Sequence, residues 1–184
     1  SPALKSIPWG WLAAAAVLGF WMLGAYNRVT ALRAAVVTAW QQLDALIQAR
    51  QQAIGSLLDA VEPGLVGERP ALDAMVSAQV QVATAAELVR RRPAPEEAMG
   101  VLAKAEVAIV AALSRIVSLV ETHGELKHDE AVTPHLQALN ELSPRHRFAR
   151  QAFNDAVGAY NHAIGQFPTR LLIRAFGFER AGEL

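Results

Sequence analysis

The sequence predicts an all-α protein, in which an N-terminal transmembrane helix continues into an antiparallel up-down-up-down four-helix bundle with a short C-terminal amphipathic helix. Hydrophobic residues make up 53% of the 184 residues but aromatic residues only 7%. The excess consists mostly of Ala, Leu and Val, which suits close-packed helices better than a β-sandwich. Apolar residues also recur at spacings of three and four along most of the chain. We expect a tail and anchor at residues 1–26, the bundle at 27–167 and a terminal segment at 168–184.

Charge and cysteine content exclude several classes of protein. Lys plus Arg equals Asp plus Glu at 17 each, so no net field gathers nucleic acid over the whole surface. The chain has no cysteine, which removes disulfides, thiolate metal sites and cysteine nucleophiles together. We therefore expect no nucleic-acid partner.

The predicted anchor is the uncharged stretch at residues 7–26. Its length is close to the roughly 20 residues that a helix needs to cross hydrocarbon. Trp9, Trp11 and Tyr26 lie near its ends, where aromatic rings favour the headgroup level. The apolar run is longer than that of a cleaved signal peptide, so the sequence predicts a retained, single-pass anchor.

Two further features of the anchor bear on its packing and its orientation. Ala15 and Gly19 form a small-xxx-small pair that would let two anchors approach closely, although in so alanine-rich a helix chance spacing is the better explanation of the pair. Lys5 flanks one side of the anchor while Arg28 and Arg33 flank the other. These charges nearly balance, so the side of the membrane that holds the bundle stays open.

Prolines and apolar periodicity divide the bundle into four predicted helices, at residues 27–62, 70–92, 96–122 and 130–167. The second helix carries Met75, Val76, Val80, Val82 and Leu88, and the third carries Val101, Leu102 and Ile109. The first has a regular apolar seam with one gap near Arg50. The predicted core positions of the first and fourth helices are Trp40, Leu43, Ile47, Phe153, Val157, Tyr160, Ile164 and Phe167.

Polar residues within these helices are interpreted as structural. Asn154 and Asn161 lie one heptad apart beside the aromatic seam, so we expect them to hydrogen-bond across helices and to fix register, with ligand binding as the alternative. Asp44, Glu106 and Asp155 form no evident acid-base pair, and ordinary solvation explains them. The five histidines match no metal-binding spacing, so we expect no metal site and no cofactor.

The terminal segment combines basic and apolar residues. If residues 169–178 form a helix, Arg170 and Arg174 lie together one turn apart, and Leu172 and Phe176 form a second such pair. Its apolar side chains have three destinations: the bilayer interface, the base of its own bundle, or a neighbouring subunit. The candidate contact residues are Arg170, Leu171, Leu172, Arg174, Phe176 and Phe178, with Gly177 allowing a turn between the two phenylalanines.

Several short motifs occur in a fixed order: "YN" at 26–27, "AWQQLD" at 39–44, "FNDAVGAYN" at 153–161 and "FP...FGF" from Phe167 to Phe178. In this combination the chain resembles the LemA family of bacterial membrane proteins over residues 26–179. The resemblance implies an anchored four-helix protein of the bacterial inner membrane and no enzyme activity. The chain departs from the family at Ser143 and Pro144, where we expect an interruption of the fourth helix.

These features favour a noncatalytic scaffold. Its anchors and helices would form a homo-oligomer, and its outer faces would recruit other membrane or envelope proteins. The alternative is a membrane-remodelling or lipid-binding protein that engages the bilayer through its C-terminal amphipathic segment.

Overall fold

The structure is a computed structural model that describes residues 8–91, 96–166 and 174–184. Within these ranges the long helices are α1 (Trp9–Val61), α2 (Arg69–Arg91), α3 (Glu96–Thr122) and α4 (Thr133–Gly165). A 3₁₀ segment, Glu62–Glu68, joins α1 to α2, and a single helical turn, Gly124–Lys127, lies between α3 and α4. The predicted all-α class is confirmed for the part of the chain that the structure describes.

The first helix, α1, combines an exposed apolar section with a packed one. It runs unbroken for 53 residues, which corresponds to about 80 Å at 1.5 Å per residue. Trp9, Trp11 and Phe20 are 83%, 75% and 77% exposed, respectively. None of the most apolar stretch of this helix is buried, and it is long and apolar enough to cross a membrane. Such a surface is unfavourable in water by about 25 cal/mol per Å², and transfer to hydrocarbon would remove this cost.

Beyond the exposed section, the helices associate in two close pairs. α1 packs along α4, and α2 packs along α3. In the first pair the rings of Trp40 and Phe153 meet edge to face, with their centroids 6.0 Å apart. The buried side chains of α1 follow one another at alternating spacings of three and four, the pattern of a heptad seam. This seam consists of Val36, Trp40, Leu43, Ile47, Arg50, Ile54, Leu57 and Val61, and Val29 and Asp44 of α1 are buried as well.

The second pair of helices has a seam built largely from small residues. Of the apolar residues that the sequence places on these helices, Val76, Val80, Leu88 and Val101 are exposed. The seam of α2 has alternating spacings of four and three and consists of Ala71, Met75, Ala78, Val82, Ala85 and Val89. Leu72 and Ala86 are buried as well, and half of all the buried residues of this helix are alanines. Small side chains at a seam bring two helices close together, and a reading based on large apolar residues misses them.

The predicted interruption at Ser143 and Pro144 was also wrong. α4 continues through this point, with Pro144 inside the helix. Proline removes one hydrogen bond to the carbonyl four residues earlier, here that of Asn140. Both Asn140 and Pro144 are exposed, so water can replace the missing donor and the helix tolerates the loss.

Three heptad positions of the core hold polar side chains that meet. Arg50 of α1 donates two hydrogen bonds to Glu106 of α3, at 2.8 Å and 2.5 Å. Its Nη1 also lies 3.3 Å from Nε2 of His146 in α4. Arg50, Glu106 and His146 are all buried, and they form a single polar layer that links three helices.

The arginine determines how His146 participates in this layer. Arginine has no acceptor atom, so Nε2 of His146 accepts the Arg50 proton and the imidazole carries its own proton on Nδ1. Burial lowers the pKa of His146, the positive charge of Arg50 lowers it further, Glu106 opposes the change and Arg150 adds to it. The folded protein therefore holds His146 in its neutral form.

A second ion pair connects α1 with α2. Arg90 donates from Nε and Nη2 to the two carboxylate oxygens of Asp44, at 2.7 Å each. Gln51 and Gln79 exchange side-chain to main-chain hydrogen bonds in the same interface. Asp44 and Glu106 are thus buried ion-pair partners, and the expectation that both are ordinarily solvated was wrong; Asp155 is exposed.

Two phenylalanines on α4 provide a matched test of this core. Phe153 is fully buried while Phe148 is 78% exposed. We predict that Phe153→Ala lowers the free energy of unfolding by about 3–5 kcal/mol, because it leaves a cavity. Phe148→Ala should change it by less than about 0.5 kcal/mol. Denaturant unfolding of the full chain in detergent, followed by circular dichroism, measures both, and equal effects would contradict the packing described.

The polar layer predicts a loss of stability in acid. Because the folded state lowers the pKa of His146, its neutral form contributes stability above the ordinary value of 6.5, and this contribution is lost as the pH falls below it. We expect the free energy of unfolding to fall by up to about 1.4 kcal/mol per pH unit below pH 6.5 from this one proton. His146→Gln, which keeps an acceptor but does not titrate, should remove that part of the slope.

Unfolding curves between pH 7.5 and 5 measure this slope. The matched control is His128→Gln, at an exposed histidine of the loop before α4. If both substitutions changed the pH dependence equally, the layer would not be its source.

Candidate interaction site at the C-terminal segment

The described part of the C-terminal segment begins with one helical turn, at residues 174–176. Gly177 follows with a φ of +69°, a conformation that is strained for residues with a Cβ atom. As expected, this glycine turns the chain between Phe176 and Phe178. Residues 178–184 are not helical, so the amphipathic helix predicted for this segment ends at Phe176.

Three side chains of α4 hold the end of the chain, and we call Asn154, Tyr160 and Asn161 the asparagine clamp. Asn161 donates from Nδ2 to the carbonyl of Ala181 at 2.6 Å and accepts from the Ala181 amide at 2.8 Å. Asn154 makes the same pair of bonds with Leu184, whose amide lies 2.6 Å from Asn154 Oδ1. The Tyr160 hydroxyl donates to the carbonyl of Glu179 at 2.8 Å.

The spacing of the clamp shows that the segment is extended. Asn154 and Asn161 are seven residues apart on a helix, which separates them by about 10.5 Å along its axis. Ala181 and Leu184 are three residues apart, and three residues of extended chain cover about 10 Å. Asn161 and Asn154 therefore hydrogen-bond to residues three positions apart in a strand-like segment, which runs along α4 in the opposite direction.

Side chains of the segment pack against three helices. Phe178 and Ala181 are buried, and Gly182 lies against the start of α3. A Cβ atom on Gly182 would lie 2.8 Å from Cα of Glu96 and 2.9 Å from Cβ of Met99, so only glycine fits. The segment thus closes this end of the helical body as well as lying on α4.

An aromatic cluster connects the segment to α1. The ring of Tyr26 lies 4.8 Å from that of Phe176 and 6.0 Å from that of Phe178, measured between centroids. Phe178 is buried, whereas Phe176 and Arg174 are exposed. Since Tyr26 marks the end of the apolar section of α1, exposed basic and aromatic groups lie beside the end of the candidate membrane span.

The groups of the clamp are suited to hydrogen bonding at neutral pH. Burial raises the pKa of Tyr160, with Arg33 opposing and Glu179 adding to the effect, so the phenol stays protonated and donates at neutral pH. The two amides do not titrate. Within the described residues, no three His, Cys, Asp or Glu side chains lie together as metal ligands would.

The structure places the predicted site residues as follows. Arg170, Leu171, Leu172 and Phe167 lie outside the described residues. Ala15 and Gly19 are exposed on α1, and apart from its own neighbouring helix backbone no atom lies within 4 Å of where a Cβ of Gly19 would be. The remaining predicted core residues are buried: Trp40, Leu43, Ile47, Phe153, Val157, Tyr160 and Ile164.

The asparagines have a different partner from the one expected. The sequence predicted hydrogen bonds across helices, but Asn154 and Asn161 bond to the main chain of the C-terminal segment. Their heptad spacing was the correct signal, and the extended partner was missed because a short segment rich in Gly, Ala and Glu carries no strand pattern.

Sequence reasoning also missed the Arg50–Glu106–His146 layer. The gap in the apolar seam near Arg50 was a signal for it. Glu106 interrupts the apolar seam of α3 in the same way, at heptad spacing between Leu102 and Ile109. Polar residues that interrupt the seams of facing helices at the same level predict a shared polar layer.

Comparison with known proteins places this fold in a family. No curated protein matches the chain. The family model described as "LemA family" matches residues 39–184, a range that includes most of the packed part of α1, the polar layer, the asparagine clamp and the C-terminal segment. This chain therefore belongs to the LemA family.

Proposed function

We propose that this protein is a membrane-anchored, noncatalytic scaffold of the bacterial inner membrane, which self-assembles and recruits other envelope proteins. The observation that carries the proposal is the continuity of α1. The exposed apolar section and the packed section belong to one helix of 53 residues. A helix without a break transmits the position of its anchor directly to the body, as a stand-off scaffold requires.

The proposed body is an antiparallel up-down-up-down four-helix bundle. Contacts between α1 and α4 support opposite directions, since Trp40 meets Phe153 while Arg50 meets His146. Contacts between α1 and α2 do the same, because Asp44 pairs with Arg90 whereas Gln51 pairs with Gln79. In this arrangement the packed part of α1 begins beside the membrane and extends about 50 Å away from it.

Exposed valines on α2 and α3 support assembly through this side of the body. Val80 and Val107 are 60% and 73% exposed, while alanines fill the buried seam between the same helices. Large exposed apolar groups favour contact with another surface where they form a patch. In the scaffold, the outer surfaces of α2 and α3 pack against neighbouring copies.

A second candidate function is lipid binding through the C-terminal segment. Arg174 and Phe176 are exposed beside Tyr26, at the end of the apolar section of α1. An arginine next to aromatic rings suits the headgroup region, where the guanidinium meets phosphates and the rings lie at the interface. This function would act together with the anchor.

The scaffold is tested by the mass of the full-length protein after gentle extraction from membranes. We expect a discrete complex of several copies. Val80→Glu together with Val107→Glu should reduce its mass without lowering the thermal stability of the monomer, because charged groups disfavour an apolar contact. Gln81→Glu with Ser118→Glu, at exposed polar positions of the same helices, is the control. A monomer before any substitution would reject the scaffold.

Lipid contact is tested with a dye, which the absence of cysteine makes simple. Ala175→Cys, labelled with an environment-sensitive fluorophore in nanodiscs, should be quenched by lipids that carry a quencher near the headgroup. Arg174→Glu with Phe176→Asp should weaken the quenching, and more so with anionic lipids. Ser118→Cys on α3 is the control position. Equal quenching at both positions would count against lipid binding.

A further inference from the structure

The asparagine clamp recognises a peptide by its main chain. Asn154 and Asn161 each satisfy both the amide and the carbonyl of one residue, as a neighbouring β-strand would, and Tyr160 takes one further carbonyl. The heptad spacing of the two asparagines matches three residues of extended chain. This recognition sets the direction and the register of the bound segment without reading its side chains.

Selectivity comes from three positions of the bound segment. Phe178 and Ala181 are buried, and Gly182 fits where no Cβ atom can, because the nearest atom is a main-chain carbon of α3. Glu179, Arg180 and Glu183 are exposed, so these positions tolerate other residues. The surface formed by α1, α3 and α4 therefore selects an extended segment of the pattern Phe-x-x-Ala-Gly.

The geometry points to a peptide-recognition groove on this end of the body, whose ligand in the assembled protein is residues 178–184 of a neighbouring copy. The groove selects a sequence that every copy carries. The same hydrogen bonds and apolar contacts form whichever copy supplies the segment, which is the condition for exchange between protomers. This inference rests on the proposed self-assembly and names the contact that joins the copies.

The membrane favours this exchange. Tyr26, at the end of the apolar section of α1, contacts both phenylalanines of the segment. Anchors in one bilayer therefore hold the grooves and the segments of all copies at a common height. Confinement to a plane raises the effective concentration of one copy at the groove of another, which compensates for the loss of the connection within one chain.

Cross-linking between singly substituted chains tests the exchange. A Cβ atom at Gly158 would lie 3.8 Å from Oε1 of Glu183, so Gly158→Cys and Glu183→Cys place two thiols within reach of a short bismaleimide. The two variants are co-expressed with different tags in an otherwise cysteine-free chain and are treated in native membranes. We expect a cross-linked dimer that carries both tags.

Further variants test whether the cross-linked dimer forms because the segment binds in the groove. Gly182→Val in the chain that carries Glu183→Cys, or Asn161→Ala in the chain that carries Gly158→Cys, should lower its yield by about tenfold, because the first removes the fit and the second removes two hydrogen bonds. Asn140→Ala, at an exposed asparagine of the same helix, should leave the yield unchanged. Replacing Gly158→Cys with Ser118→Cys should give no dimer.

The result that would overturn the inference uses both cysteines in one chain. If that chain cross-links internally while the co-expressed single variants form no mixed dimer, the segment stays in its own groove. If neither the doubly substituted chain nor the co-expressed single variants cross-link, the segment does not lie in the groove, and the proposed groove is rejected. The mass of the extracted protein separates these results from the proposed function: a discrete complex without mixed dimers rejects the exchange alone, and a monomer rejects both.

Discussion

The architecture depends on one buried ion pair, Arg50 with Glu106, and on the neutral His146 beside it. A buried pair of this kind adds little stability compared with apolar residues, but removing one partner costs about 3–5 kcal/mol because it leaves an unpaired charge. Sliding α1 by one heptad against α3 would have the same effect, since Arg50 would face an apolar layer and Glu106 would lose its donor. The layer therefore selects one register among several that apolar packing alone would allow.

Much of this fold was predictable from the spacing of large apolar residues. The seam of α1 from Trp40 to Ile47, and that of α4 from Phe153 to Ile164, were predicted because large side chains at heptad spacing have few alternatives to burial. The seam of α2 was not, since Ala78 and Ala85 are buried while Val76 and Val80 are exposed. Valine is more hydrophobic than alanine, so hydrophobicity alone predicts that valine is buried. Close approach of two helices requires the smaller residue instead, and the surface of the partner helix decides which of the two is buried.

The C-terminal segment shows a different limit of sequence reasoning. Its basic and apolar residues predicted an amphipathic helix, yet the residues after Gly177 are extended. They gain their hydrogen bonds from Asn154, Tyr160 and Asn161, which lie 19 or more positions earlier in the chain than the residues they bind. A segment whose hydrogen-bond partners are all distant side chains has no local pattern to reveal its conformation. The informative signal lay in α4, where two asparagines at heptad spacing occupy positions that favour neither a core nor a helix.

The polar layer and the clamp hold α1 in place at two different points. The layer fixes the height of α1 relative to α3 and α4 in the middle of the body, and the clamp fixes the segment that covers Tyr26 at its end. Because α1 continues without a break into its exposed apolar section, its register in the body also determines where Phe176 and Arg174 lie relative to the bilayer. The terminal segment therefore closes the body through its buried residues, contacts Tyr26 through its two phenylalanines, and presents its exposed groups beside the end of the candidate membrane span.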